Sequence, residues 1–593
     1  FFRKHMKIIL AKNLGYCLGV RRAMELAFTA VNQRRGTVYC HGPLIHNQPA
    51  MELLASKGLK LYDPQNPPSD LKEARLIIRA HGLPPLEEAK VRTLFPVIID
   101  ATCPKVVAVQ RLIAKKAAEG KSILIWGTAG HPEVEGLLGY ALGRGVVFGN
   151  LQELERLPEY QDIFLVSQTT QDSEIFPEIE AAVLKRYPKA HTEIHKTICE
   201  ATRLRQEGVK TLCEKANALV IVGGKNSGNT RRLEDLGKKL KIPTVAVEGP
   251  LEIPPGFVKE RTRIAVASGA STPLWQIRRV YQALSAVGRV SDHNILAFIM
   301  RFFRALVLSN IYIALGAGAM GWAMALVVGI TLPTIFFGLF FAFTNAMHLL
   351  NGFLDQGSDK YNDPDRAEFL KKYYIPLVVL KIFTWLLSLF AANLAGPKVL
   401  IFLAILSILG MCYASPLPWG RLNNLGMARF KDVPLAKTLS ISWGWSALLI
   451  FPYFLASPPF LPLTFKGLSQ GVLAFGLIFI QVLARTFLKD LEEARGDRIF
   501  GLRSPADILG IRCSVKFLSA LYLFWILYLS CGVIINILQP WALLLVISGP
   551  LYNALMLRRY LKKPGLGGFQ FDIILDGQFL LAFLLLFLTR ALC

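Results

Sequence analysis

The chain lacks most of what would place it outside the cell or on nucleic acid. Its nine cysteines are scattered and form no extracellular disulfide framework. Cys40, Cys213, Cys412, Cys513, Cys531 and Cys593 show no ligand spacing and read as structural or incidental. The segment Met6-Lys-Ile-Ile-Leu has too short an apolar core for a secretory leader, so none is expected and Met6 reads as the native start. A net charge of +25, from 67 basic against 42 acidic residues, would suit nucleic acid. Yet the first half has no basic stripe interleaved with aromatics, so no nucleic-acid partner is expected. Long apolar runs are also missing from that half and dominate beyond Ala297. The 593 residues therefore divide into a charge-dense part, with strands alternating with helices, and a membrane part.

What the first half does have is a repeated cysteine pattern. Val97-Ile-Ile reads as a strand, Asp100-Ala-Thr-Cys-Pro-Lys as its end, and Val106 onward as a helix with Pro104 in its first turn. Cys103 would then stand at a helix N-terminus, where the dipole and free N–H groups favour a thiolate. Gly15-Tyr-Cys-Leu-Gly-Val and Thr197-Ile-Cys-Glu-Ala-Thr repeat the pattern, so Cys17, Cys103 and Cys199 lie 86 and 96 residues apart. His46, His131 and Ser227 follow them at 29, 28 and 28 residues, and His81, Thr169 and Ser271 at 64, 66 and 72. A repeat of about ninety residues exceeds solenoid periods and predicts three α/β units around a pseudo-threefold axis, with three thiolates converging on it.

Three thiolates without a fourth suit an iron–sulfur cluster with one open iron, or a three-cysteine zinc site holding water. The first half resembles one family in particular. The resemblance lies in Gly15-Tyr-Cys-Leu-Gly-Val20, Asp100-Ala-Thr-Cys-Pro104, Gly130-His-Pro-Glu-Val134, Ser167-Gln-Thr-Thr170, Thr197-Ile-Cys-Glu-Ala-Thr202 and Gly224-Lys-Asn-Ser-Gly-Asn-Thr230. It is similar over residues 6–285 to hydroxymethylbutenyl diphosphate reductase, IspH or LytB. The resemblance implies a [4Fe–4S] cluster on Cys17, Cys103 and Cys199, with the substrate hydroxyl at the iron that lacks a protein ligand. It implies a two-electron reductive dehydroxylation to isopentenyl and dimethylallyl diphosphates, with ferredoxin or flavodoxin as electron donor. By motif, His46, His81, His131, Ser227, Asn229 and Ser271 would bind the diphosphate, Glu133 would deliver protons and Thr169 would orient the hydroxyl. Many relatives carry two serines where this chain reads Ser227-Gly228, which leaves one phosphate contact open. Pro132 is read as breaking the local helix so that His131 and Glu133 face one cavity. Short neutral donors would bind a diphosphate without bulky cations, and a desolvated carboxyl keeps its proton to higher pH.

Trp275 to Leu284 reads as the helix that closes the reductase part (1–287), and 288–296 as a polar linker. From residue 306 nine apolar spans are expected, at about 306–328, 330–350, 374–395, 399–415, 436–456, 470–488, 516–538, 541–557 and 575–592. The fourth and eighth are short enough to be tilted or partly re-entrant. Basic residues flank alternate span ends, including Arg301, Arg304, Lys371, Lys372, Arg503, Arg558 and Arg559, while the intervening loops hold little beyond Lys398 and Lys466. The basic side should be cytosolic, which predicts a multi-pass protein of a bacterial-type inner membrane with the reductase part in the cytoplasm.

Two acidic clusters sit at the basic ends of spans. Asn351, Asp355 and Asp359 fall at i, i+4, i+8, and Asp490, Glu493 and Asp497 at i, i+3, i+7, each on one helical face. Carboxylates at a membrane boundary are costly unless functional, and two facing clusters would hold Mg²⁺ bridging a diphosphate. Asn351 to Arg366 and Asp490-Leu-Glu-Glu-Ala-Arg-Gly-Asp497 resemble the two aspartate-rich motifs of UbiA intramembrane prenyltransferases, and Tyr413-Ala-Ser-Pro-Leu fits their middle segment. Over 297–593 the resemblance implies an all-α membrane domain with Mg²⁺-dependent prenyl transfer, Arg366, Lys437 and Arg485 being candidate diphosphate contacts. Two other readings stay open: a membrane-anchored iron–sulfur sensor, and a reductase on a non-catalytic membrane domain.

Overall fold

A computed structural model of the chain describes residues 6–33, 36–258, 261–287, 295–354, 363–415, 430, 433, 435–499, 505–562 and 568–592. The chain divides into two units, Phe1–Ser291 and Asp292–Cys593.

Twelve strands build the first unit: β1 Lys7–Leu10, β2 Val38–His41, β3 Leu59–Tyr62, β4 Arg75–Ile78, β5 Val97–Asp100, β6 Ser122–Trp126, β7 Gly145–Phe148, β8 Asp162–Ser167, β9 His191–Ile194, β10 Ala218–Val222, β11 Thr244–Val247 and β12 Arg263–Ser268. They form three four-stranded sheets, in orders β1-β12-β10-β11, β3-β2-β4-β5 and β7-β6-β8-β9. Every pairing is parallel. Central strands read as unbroken apolar runs because helices cover both faces; Ala218-Leu-Val-Ile-Val222 is buried throughout. Each such buried aliphatic side chain contributes about 1.5–3 kcal/mol.

The second and third sheets, read from the other edge, run β5-β4-β2-β3 and β9-β8-β6-β7, the order of the first sheet. The three lobes are therefore equivalent, as the repeat predicts, and each ends its edge strand just before a cysteine: Cys17 after β1, Cys103 after β5, Cys199 after β9. The frame of the repeat differs from the sequence reading. A cysteine closes its lobe and does not open it, and the first lobe is completed by the N-terminal strand pairing in register with β12, Lys7 opposite Arg263. In this frame the counterpart of His81 and Ser271, three residues beyond β4 and β12, is Thr170 and not Thr169.

In the second unit, nine helices among the described residues are long and apolar enough to cross a membrane, from Ile311–Val328 to Phe571–Ala591. They match the nine expected spans in order. The first starts later than expected because Asn310, with φ 60°, breaks it from a separate helix over Ile295–Leu308. The fourth, Pro397–Ala414, is a regular helix. The eighth is irregular: a 3₁₀ turn over Pro540–Leu544, a π turn over Ile547–Leu551 holding Pro550, then the helix Tyr552–Lys562. Pro550 offers no N–H to an α-helical ladder, which accounts for the wide turn. Helix Ile311–Val328 is largely buried, and its Gly321 faces Phe340 so closely that a Cβ would lie 2.3 Å from the ring. Tyr374–Ala395 and Pro397–Ala414 instead expose Val379, Phe390, Ile401 and Ile408, a surface suited to lipid. The expected linker lies mostly outside the described residues.

Candidate functional site

The three cysteines are the N-cap residues of Leu18–Asn32, Pro104–Ala118 and Glu200–Cys213. Each backbone N–H is anchored on the neighbouring loop of its own lobe: Cys17 donates to Ala270 O at 3.0 Å, Cys103 to Ala80 O at 2.9 Å and Cys199 to Thr169 O at 2.9 Å. Cys17 Sγ also accepts from Val20 N at 3.5 Å. Burial pushes the Cys103 thiol up, and the sulfurs of Cys17 and Cys199 push it the same way while the N–H groups of Lys105 and Val106 oppose it. The three sulfurs thus share one electrostatic site. Gly19 is the residue that permits the approach, since a Cβ there would lie 2.4 Å from Cys103 Sγ. Three half-buried thiols at three helix N-termini, with side-chain bulk removed beside one, fit a cluster held by three thiolates.

The histidines form a second group, joined to the cysteines where Ala80, the residue before His81, accepts from Cys103 N. The ring centroids of His46 and His81 are 4.6 Å apart, His46 and His131 5.2 Å, and His81 and His131 5.4 Å. One nitrogen from each falls within 4.8 Å of the others. Burial holds all three below the ordinary imidazole range, with the Arg79 charge adding to it; His131 is brought down to about 4. Arg79 comes from Ile77-Ile-Arg-Ala-His81, and sequence reasoning missed it although it stands two residues from a candidate ligand.

Ser271 Oγ donates to His46 O at 3.1 Å and lies 3.4 Å from Ser227 Oγ, which caps the helix Gly228–Lys239. Gly224 lets these lobes meet: a Cβ would lie 2.5 Å from His46 O. At Gly228 a Cβ would meet only Thr170 Oγ1, at 3.5 Å, so the backbone leaves room for a short side chain there. Both amide atoms of Asn229, His46 Nε2 and His81 Nδ1 are buried without a partner among the described residues. Such orphaned donors and acceptors are costly and point to a polar ligand.

Glu133 is 2% exposed, and its Oε1 accepts from Thr169 N at 2.7 Å. Burial raises its carboxyl above the usual range against the Thr169 bonds. Pro132 does not break a helix here: it is the first residue of Pro132–Gly139, with His131 as N-cap accepting from Glu133 N at 3.1 Å. A missing N–H costs nothing at that position, so the proline starts the element. The structure thus brings together the three cysteines, the three histidines, the two serines and the Glu133–Thr169 pair.

In the second unit, Asp490 is fully buried, accepts from Thr438 Oγ1 at 2.8 Å and pairs with Lys437 at 2.9 Å. Glu493 pairs with Lys437 at 3.1 Å and Lys489 at 3.5 Å. Asn351 is half-buried at the end of Thr334–Leu354; Asp355 and Asp359 lie outside the described residues, as does the side chain of Asp497. Two carboxylates that sequence reasoning missed stand on the last helix. Asp572 pairs with Lys489 at 2.5 Å and Arg366 at 3.4 Å, and Asp576 with Arg485 at 2.8 Å. Their signal was an i, i+4 acidic pair inside an apolar run, Phe571-Asp-Ile-Ile-Leu-Asp576.

The first unit is thus a three-lobed α/β protein with a three-cysteine centre and a cluster of histidine, serine and asparagine groups. The family described as LytB protein matches residues 8–285. A 4-hydroxy-3-methylbut-2-enyl diphosphate reductase of Aquifex aeolicus (strain VF5) is 37% identical over 284 residues, 47% of this chain and 96% of that protein. By this similarity, the chain belongs to the LytB family. A solved (E)-4-hydroxy-3-methyl-but-2-enyl diphosphate reductase aligns with 35% identity and TM-score 0.38, over 47% of this chain and 99% of its own. A UbiA homolog from Archaeoglobus fulgidus, solved with GPP and Mg²⁺, aligns with 14% identity and TM-score 0.35, over 47% of this chain and 98% of its own.

Proposed function

We propose that the first unit, residues 1–287, reduces 4-hydroxy-3-methylbut-2-enyl diphosphate, and that 297–593 is a Mg²⁺-dependent prenyltransferase of the UbiA kind. The observation that carries the first part is the set of three N-cap cysteines, linked through the carbonyls of Ala80 and Thr169 to the His46–His81–His131 group and to the buried Glu133. Cys17, Cys103 and Cys199 would hold a [4Fe–4S] cluster, which supplies electrons one at a time when bound. In the overall reaction two electrons and two protons enter, the allylic C–O bond breaks, water leaves and a C–H bond forms. The three histidines, Ser227, Asn229 and Ser271 bind the diphosphate oxygens and exclude water from its far end. Glu133, protonated because it is buried, is the proton source, and Thr169 beside it orients the substrate hydroxyl. Ferredoxin or flavodoxin is the electron donor in this reading.

For the second unit the support is the pair of acidic motifs together with the buried ion pairs around Asp490 and Glu493. Asn351, Asp355, Asp359, Asp490, Glu493 and Asp497 would hold Mg²⁺ on the diphosphate of a prenyl donor, and Arg366, Lys437 and Arg485 would take up its charge. The charge pattern of the loops supports a reading in which those ends, and the reductase, are on the cytosolic side of a bacterial-type inner membrane.

The test is anaerobic purification with iron analysis, a diphosphate reduction assay and a Mg²⁺-dependent prenyl-transfer assay on one preparation. Four irons per chain and reductase turnover are expected. Asp490→Asn should abolish prenyl transfer and leave reduction intact, and Cys103→Ser should do the reverse when prenyl donor is supplied. Stoichiometric zinc without iron would rule out the reductase reading; reductase loss in a cluster-loaded Asp490→Asn protein would rule out independent modules.

A further inference from the structure

Arg205 lies in the helix that Cys199 caps and is 7% exposed. Its Nη2 donates to Gly15 O at 2.7 Å and its Nη1 to Ala201 O at 3.0 Å. Gly15 is two residues before Cys17, and Ala201 two after Cys199. One guanidinium therefore ties the first cysteine's loop to the third cysteine's helix. Its Nε is buried without a partner among the described residues. Burial works against the charge, and the groups that favour it are the sulfurs of Cys17 and Cys199. Cys103 has different surroundings, its thiol acted on by the other two sulfurs and by backbone N–H groups. Arg22, next to the Cys103 loop, is exposed and bonds Thr102 O and Asp100 O, both at 3.1 Å.

Two carbonyl oxygens can be satisfied by neutral donors, so they do not by themselves require a cation in a buried place. A buried cation is sustained by anions, and this one is bonded to carbonyls two residues from Cys17 and two from Cys199. We infer that Arg205 is the internal counter-cation of the three-cysteine centre and sets how readily a bound cluster accepts an electron. This rests on the reading that Cys17, Cys103 and Cys199 hold a [4Fe–4S] cluster. Three thiolates on a core of charge 2+ leave one net negative charge, and reduction adds a second. A fixed positive charge beside two of the thiolates favours the reduced state, because net charge and hydrogen bonding set cluster potentials. Arg205 is thus a positioning and tuning residue, outside the groups assigned to substrate.

The experiment compares full-length wild type, Arg205→Gln and Arg205→Lys, reconstituted anaerobically, by iron content and by a dye-mediated redox titration followed by electron paramagnetic resonance. Arg205→Gln should shift the reduction equilibrium about tenfold toward the oxidised cluster, which is ~59 mV for one electron. Arg205→Lys keeps the charge but cannot bond both carbonyls as the planar fork does, and should stay within about threefold of wild type. A loaded Gln variant at the wild-type potential overturns the inference, and so does a Lys variant shifted as far as Gln. If Gln holds no cluster, Lys decides: a wild-type potential supports the charge role, a shifted one overturns it. Failure of both variants to load makes Arg205 a clamp and overturns the inference. Wild type that binds no iron overturns the cluster reading itself, a result distinguishable from all of these.

Discussion

Replacing Glu133 with Gln removes an ionisable proton and almost nothing else. The side chain is 2% exposed and its Oε1 accepts from Thr169 N at 2.7 Å. The amide oxygen of Gln keeps that bond, so the fold should lose no more than about 1 kcal/mol, the scale of one hydrogen bond. Iron content and diphosphate affinity should stay near wild type, because neither the cysteines nor the histidine rim is touched. Turnover should fall by about 10²–10⁴, the contribution of a positioned acid. At ~1.4 kcal/mol per tenfold, that is about 3–6 kcal/mol of barrier. The pH profile sharpens the test. Burial raises the Glu133 carboxyl, so its proton-donating form persists above the usual carboxylate range and is lost as pH rises through the raised value. Wild-type turnover should therefore decline on the alkaline side, and the Gln variant should lack that limb. The assay is anaerobic turnover with a chemical one-electron reductant, from about pH 6 to pH 9. Near-normal turnover in a cluster-loaded Gln variant would refute Glu133 as the proton source.

The histidine rim makes a linkage prediction. His46, His81 and His131 are held neutral in the empty site, His131 with its pKa brought down to about 4, and a bound anion raises all three. Diphosphate binding should therefore take up protons and weaken as pH rises through the raised values, which calorimetry in buffers of different ionisation enthalpy measures; zero uptake at about pH 6 to pH 7 would contradict it. At the cysteine centre, Gly19→Ala puts a Cβ where Cys103 Sγ lies 2.4 Å away. Iron retained after desalting should drop severalfold with little change in the circular dichroism of the domain, and full iron retention would show that the Gly19 approach is not required.

The cysteines were legible because their signal is local: a strand, then a cysteine, then a helix start recur at intervals of 86 and 96 residues. The frame of the repeat was not, since spacing cannot tell which sheet a strand joins. Lys7 pairs with Arg263 across most of the unit, and only that pairing shows that Cys17 completes a lobe whose other strands lie at 218–268. The one-residue offset between Thr169 and Thr170 has the same origin. Pro132 was misread for a different reason. A proline both breaks and begins helices, and the residues after it decide which; Glu133-Val-Glu-Gly-Leu-Leu carries enough apolar and acidic character to begin one. Arg79 and Arg205 were not legible at all. The chain is rich in basic residues, and what marks these two is their tertiary setting, Arg79 beside the histidines and Arg205 bonded next to two cysteines, which no local pattern encodes.

The membrane half shows the opposite balance. Apolar length is local, so all nine spans were readable, while most of their ends lie a few residues from the expected ones, and Asn310 and Pro550 mark where backbone geometry intervenes. The expected acidic clusters stand at the basic ends of the spans, and the pair inside the last span belongs to neither motif. Yet a carboxylate within an apolar run is the stronger signal, because hydrocarbon offers it no water and it must find a cation. Asp572 and Asp576 repeat at the spacing of Arg485 and Lys489, and the structure joins them in two rungs, Asp576 to Arg485 at 2.8 Å and Asp572 to Lys489 at 2.5 Å. A ladder needs matched spacing on two helices, so the cations on Phe465–Ile499 imply acids at i, i+4 on whichever helix faces them. Among the apolar spans, the one at 571–591 carries that pair.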